Sequence, residues 1–262
     1  MRAILVNADR SPSTGARLEF ALDLARIRDG HLTVLLDTPV TRYIAMDPLG
    51  GSHVMSDALA KARLEDDEAA DRIEARLARD DVPFDILRAE ADPVSALAQA
   101  ALLADLTIVS RKEGGALAGD LALASRTPVL VLPENRVPAL PLAKACVAWD
   151  GGEQATAALK AALPLLASAE TVTVITVAEK AGGYPATDAL SYLSRNGIHA
   201  ELEEHVRRGS IEETLGIAVT QAGADLLVMG AYGKSWMREL LFGGVTAHFL
   251  SDSQAPALLL AH

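Results

Sequence analysis

The chain has 262 residues, half of them hydrophobic but only 4% aromatic, and a formal net charge of −11. That length suits two domains of ordinary size, and the acid excess argues against a nucleic-acid binder, which would show a basic face. No apolar run is long enough to span a membrane, and Arg2 leads from Met1 into a short strand pattern instead of a signal peptide, so a cytoplasmic protein away from membranes is expected.

The elements follow in chain order. Ala3–Val6 reads as a short buried strand ending at Asn7-Ala8-Asp9. Ser11-Pro12-Ser13-Thr14 offers helix caps, and Leu18, Leu22 and Ala25 recur at helical spacing. His31–Leu36 is a second strand, and Pro39–Ser56 is irregular, expected as a plain surface loop in preference to a mobile lid over a site. A charged helix over Lys61–Arg79 carries Leu64, Ile73 and Leu77 as its apolar stripe; its carboxylates read as a solvated face. Phe84–Ala89 is a third strand, and Asp92-Pro93 starts a helix with a cap and a proline at the first helical position. Leu106–Val109 and Pro128–Leu132 complete five strands.

The pattern then restarts. Pro133, Pro138 and Pro141 mark a linker between a first domain over 1–135 and a second over 143–262. Ala145–Asp150 repeats the opening passage from strand to aspartate. A helix follows over Thr156–Leu166, a strand over Val172–Val177, a helix over Ala186–Arg195 with a glycine stop at Gly197, and a strand over Ala200–Val206. Ser210 and Glu213 form a capping box, and Ala257–Leu260 is the last strand. Asp9 matches Asp150, Asp105 matches Asp225, and Thr127-Pro128 matches Ala255-Pro256. Each half alternates continuous apolar strands with helices, which argues an α/β fold with a parallel sheet covered on both faces. Ligands of such sheets sit beyond the carboxyl ends of the strands at the topological switch point, where Asp150 and Gly230 stand. The single cysteine, Cys146, lies within a strand pattern and reads as a small buried hydrophobe.

The stretch from Asp225 to Thr246 carries the chemistry. A buried strand, Leu226–Met229, breaks at Gly230, turns through Gly233 and reaches a second glycine pair, Gly243-Gly244, before Val245-Thr246 open another helix. Glycines after a parallel strand, followed by backbone N–H groups at a helix start, suit a phosphate. A P-loop is excluded because Val228 stands where its first glycine belongs, and the dinucleotide fingerprint also fails. The spacing that fits is Gly230, two residues, Gly233, nine residues, Gly243, then Gly244-Val245-Thr246. The competing reading is that these are only turn glycines around a helix; the spacing and the preceding strand favour nucleotide binding.

That spacing resembles the ATP-binding signature of the universal stress protein family, and with the Asp150 strand end and the Ala255-Pro256 entry the whole chain looks like a tandem pair of such domains. The resemblance implies two doubly wound parallel-sheet domains of strand order 3-2-1-4-5, paired internally through their fifth strands, Val129–Leu132 against Ala257–Leu260. It implies that Asp150 contacts adenine and ribose, that Val177 and Met229 line the base, and that Gly230, Gly233, Gly243, Gly244, Val245 and Thr246 surround the phosphates of ATP, with or without Mg2+. One departure is that Gly244 stands where a Ser or Thr is usual; the missing hydroxyl bond would cost about 1 kcal/mol.

The first half departs further. Ser110 and Glu113 stand where Gly230 and Gly233 do, and the segment before Pro128 is eight residues shorter than its counterpart before Pro256. One adenine-nucleotide site per chain is therefore expected, in the second half. Six scattered histidines match no catalytic or zinc spacing, so no catalytic residue is assigned. Three functions remain open: a nucleotide-dependent stress or signalling protein acting on an unidentified protein partner, a weak ATPase, and a nucleotide-free interaction module. An internal pseudo-dimer is expected, and a homodimer of whole chains is compatible with it.

Overall fold

The structure, a computed structural model, describes residues 1–46, 52–111, 116–178, 184–231 and 244–262. In the first half the strands are β1 (Ala3–Asn7), β2 (His31–Asp37), β3 (Ile44–Met46), β4 (Ser52–Val54), β5 (Phe84–Ala89), β6 (Leu106–Arg111) and β7 (Val129–Pro133). The helices are α1 (Thr14–Ile27), α2 (Ser56–Leu77), α3 (Pro93–Ala100) and α4 (Ala116–Ala124). The second half supplies β8 (Lys144–Ala148), α5 (Glu153–Leu166), β9 (Thr171–Ala178), α6 (Ala186–Arg195) and β10 (Glu201–Val206). It continues with α7 (Ile211–Ala222), β11 (Leu226–Gly230), α8 (Val245–Ser251) and β12 (Ala257–Ala261).

Ten strands form one sheet in the order β10-β9-β8-β11-β12-β7-β6-β1-β2-β5. Taken separately, each half has the expected order 3-2-1-4-5, with parallel pairing throughout. The halves meet where β12 pairs antiparallel with β7, in the register Leu258↔Val131, Leu259↔Leu130, Leu260↔Val129. All six residues at this seam are at most 1% exposed. Full burial of such a side chain is worth about 2 kcal/mol, so the seam is apolar core. It also covers two edges that would otherwise be open to pairing with other chains.

Burial follows position in the sheet. Every residue of β6, β7 and β12 is buried, whereas the outer strands β5 and β10 alternate between partly buried and exposed residues. β10 carries Glu201, Glu203 and Glu204 on its outer run, and charge on an edge strand discourages further pairing. Helices α1, α2, α5 and α6 bury their apolar residues in one core, while α3, α4, α7 and α8 bury theirs in another. The two cores lie on opposite sides of the sheet and each contains residues of both halves.

Local differences from the sequence expectations have physical causes. The stretch expected as a loop over Pro39–Ser56 contains a 3-10 turn, Val40–Tyr43, and the antiparallel pair β3–β4. Helix α2 begins at Ser56, ahead of the apolar stripe, because its first turn is anchored by the Leu59 N–H on Met55 O. Helix α5 begins at Glu153 with Gly152 as its N-cap. The capping box on α7 is present: the Ser210 hydroxyl accepts from the Glu213 N–H at 3.1 Å and Glu213 accepts from the Ser210 N–H at 3.0 Å. Asp105 and Asp225, seen in the sequence only as repeat markers, are ties: Asp105 accepts from the N–H groups of Arg2 and Ala3, and Asp225 from those of Ala143 and Lys144.

Candidate functional site

In the second half the chain leaves β8 toward β9 on one side, while β11 lies on the other. The carboxyl ends of β8 and β11 therefore flank the switch point at which the strand order reverses, the place where such sheets bind ligands. Trp149 follows β8, its N–H donating to Ile175 O at 2.8 Å and its indole Nε1 donating to Tyr184 O at 3.0 Å. Asp150 comes next and is exposed. Its Oδ1 accepts the Gly152 N–H at 2.8 Å, closing a turn through Gly151, whose φ of 75° is left-handed. The N-cap position on α5 is thus held by Gly152 and not by Asp150.

Gly230 ends β11, paired with Ala261. A Cβ there would lie 2.6 Å from the Ala155 N and 2.7 Å from the Gln154 carbonyl carbon, so any side chain would collide with the first turn of α5. Close packing of strand on helix therefore requires this glycine, independently of any ligand. Met229 is 4% exposed, and it and Val177 pack with the core on the α7–α8 side. Val177, in β9, is partly buried.

Gly244 is the N-cap of α8, in extended conformation with no side-chain cap; its carbonyl accepts the His248 N–H at 2.9 Å. Val245 packs against the α7–α8 core and Thr246 is buried. The structure thus puts Asp150, Val177, Met229 and Gly230 at the carboxyl ends of three neighbouring strands, with Gly244–Thr246 beginning a helix on the same face as Val177 and Met229. Gly233 and Gly243, like the helix expected near Trp236, lie outside the described residues.

The first half has another arrangement at the equivalent place. Arg17, fully buried on α1, donates from Nε to Asn7 O at 2.7 Å, from Nη1 to Ser110 Oγ at 2.6 Å, and from Nη2 to Thr14 Oγ1 at 3.0 Å and to Asp9 Oδ1 at 2.9 Å. Asp9 Oδ1 also accepts from the Ser11 N–H, the Ser11 hydroxyl and the Thr14 hydroxyl. The carboxylate matching Asp150 is therefore engaged inward, and the residue matching Gly230 is the hydroxyl that holds the guanidinium. The counterpart of Arg17 in the second half is Ala158. Sequence reading missed Arg17 because an arginine among helical leucines looks like a surface residue; the position of Asp9 eight residues earlier was the available signal.

Two cavities adjoin these ends. One of about 220 Å3 lies between α5 and α6, behind the Asp150 turn, and is lined by Trp149, Leu159, Lys160, Tyr184, Ala189 and Tyr192 among others. It opens on the α5–α6 face, away from Val177 and Met229. The other, of about 230 Å3, is polar; it lies beside α2 and includes Thr38, Arg63, Asp66, Arg88 and Glu90. There Asp66 accepts from Arg10 and Thr38, and Arg63 pairs with Glu90 at 2.7 Å. Among the described residues no group of three His, Cys, Asp or Glu side chains is placed to hold a metal ion, and no helix is long and apolar enough to cross a membrane. Burial pushes the Cys146 thiol up to about 11, with Glu203 adding to the shift, as suits an inert core residue.

No curated protein sequence matches the chain significantly. Among solved structures, a universal stress protein from Archaeoglobus fulgidus superposes with a TM-score of 0.74 at 16% identity, over 99% of this chain and 96% of that one. A functionally unknown protein from Pseudomonas aeruginosa PAO1 superposes at 0.63 with 18% identity, over 100% of this chain and 92% of the other. Identities this low speak for the fold alone. The universal stress protein family model matches twice, at residues 1–133 and 142–261. With a 3-2-1-4-5 sheet in each matched segment and the two joined through their fifth strands, the chain belongs to the universal stress protein family, as a tandem pair of its domains.

Proposed function

We propose that the chain binds one adenine nucleotide, ATP in the first instance, at the carboxyl ends of β8 and β11, and acts through a nucleotide-dependent conformation or partner surface. The contrast between the two aspartates carries this proposal. Among the described residues the exposed Asp150 is bonded only to its own turn, while Asp9 is engaged by a buried arginine and two hydroxyls. A free carboxylate at a switch point suits sugar hydroxyls or an exocyclic amine, and an engaged one does not. Gly244 and Thr246 would meet the phosphates. A Mg2+ ion would arrive with the triphosphate, since the described residues offer no metal cluster of their own. The domains run over 1–135 and 143–262, and the setting is the cytoplasm.

The test is mass spectrometry of nucleotide released from freshly purified protein, followed by calorimetric titration with ATP. Wild type should take up one equivalent per chain. Asp150→Ala should bind about ten- to a hundred-fold more weakly, the loss expected for charged hydrogen bonds of 1.5–3 kcal/mol. Asp150→Asn, which can still close the turn, separates loss of the turn from loss of the charge. A Gly230 variant is a poor probe because its side chain would strike α5. Two equivalents per chain would overturn the single site, and no uptake at all would leave an interaction module without nucleotide.

A further inference from the structure

Arg111, the last residue of β6 in the first domain, is 5% exposed. Its guanidinium crosses into the second domain. One terminal nitrogen donates to Asp252 O at 3.0 Å and to Ala255 O at 2.7 Å, and the other donates to Pro256 O. Asp252 is the C-cap of α8, and Ala255 and Pro256 lead into β12. Burial pushes the guanidinium below its usual value, with the Asp252 carboxylate opposing, and the group stays charged at neutral pH. A buried cation is costly unless well bonded; here three backbone carbonyls supply the acceptors, and the one at Asp252 is the C-cap of α8, the favourable end of its dipole.

The opposite end of the same helix is Gly244–Thr246. Helix α8 has seven residues, so its ends are only about 10 Å apart. It packs against α7 of its own domain and α4 of the other, and its Phe249 and Leu250 are buried in the shared core. So short a helix, held at its C-terminus, moves as a unit. The residue of the second half that matches Arg111 is Ala231, so the grip runs in one direction only, from the first domain to the second. We propose that Arg111 is a positioning residue for the nucleotide site, through which the first domain fixes α8 and with it Gly244 and Thr246. This rests on the nucleotide function proposed above. It gives the first domain, whose own Asp9 is engaged by Arg17, a task in the binding of a ligand it does not hold.

The experiment compares wild type, Arg111→Met, Arg111→Lys and the control Leu77→Ala, which opens the core on the other side of the sheet. ATP affinity is measured by calorimetry and amide exchange by mass spectrometry. Arg111→Met should weaken ATP binding about ten-fold, within the usual range for coupled sites, with stoichiometry unchanged. It should also speed exchange at the His248 and Asp252 amides, leaving Leu226–Met229 as in wild type. Arg111→Lys, which can reach fewer carbonyls, should fall between, and it carries the comparison if the methionine variant does not fold. Leu77→Ala should lose stability and keep its ATP affinity. Wild-type affinity in both Arg111 variants, or an equal loss in the control, overturns the positioning role alone. Absence of ATP binding by wild type overturns the nucleotide function, and the positioning role with it.

Discussion

Single side chains divide the two halves. Arg17 is the clearest, because one guanidinium satisfies a carboxylate, two hydroxyls and a strand carbonyl inside the first half. Removing one member of a buried ion pair leaves the other uncompensated, so Arg17→Met should cost about 3–5 kcal/mol in urea unfolding. Asp105 acts by another route. The Arg2 N–H foremost, with the Ala3 N–H, holds its carboxyl below the ordinary aspartate range, against an opposing effect of burial. A carboxyl depressed in the folded state stabilises above its unfolded value and loses that contribution as pH falls through the folded one. Asp105→Asn should therefore lower the urea midpoint at pH 7, and the deficit against wild type should shrink below about pH 4.

Among the elements, α7 shows how local sequence can set a boundary without tertiary help. Its box joins Ser210 and Glu213 in both directions, and Gly223 closes the other end with φ 65°. Ser210→Ala should cost about 1 kcal/mol, read as a shift in urea midpoint with unchanged slope. Helix α8 is the opposite case. It is short, its N-cap is a glycine without a side-chain bond, and its C-terminus is held by an arginine from the other domain. Propensity alone would not maintain seven residues as a helix, so packing against α4 and α7 maintains it.

For the whole molecule, the seam between β7 and β12 decides cooperativity. Sheet hydrogen bonds run without a break through ten strands, and both cores draw residues from both halves. Unfolding one half would expose the apolar edge of the other. The chain should therefore unfold in one transition despite its two domains, with coincident curves by circular dichroism and tryptophan fluorescence and a calorimetric enthalpy equal to the van't Hoff value. Two separated transitions would mean that the seam contributes less than its burial implies.

The sequence by itself determined the repeat, the α/β class and the strands of the large sheet, because continuous apolar runs and capping residues act over a few positions and can be seen there. Asp150 and Gly230 were likewise legible as positions, since strand ends and glycines mark them. What Gly230 does was not legible: its lack of a Cβ answers to Gln154 and Ala155, some seventy-five residues earlier. Nor was the fate of Asp9, which reads like Asp150 in the sequence and differs only because Arg17 and Ser110, 93 residues apart, close around it. The grip of Arg111 on α8 spans more than 140 residues and crosses the seam. Each of these contacts exists only once distant strands lie side by side, and for that reason the tertiary structure alone decided them.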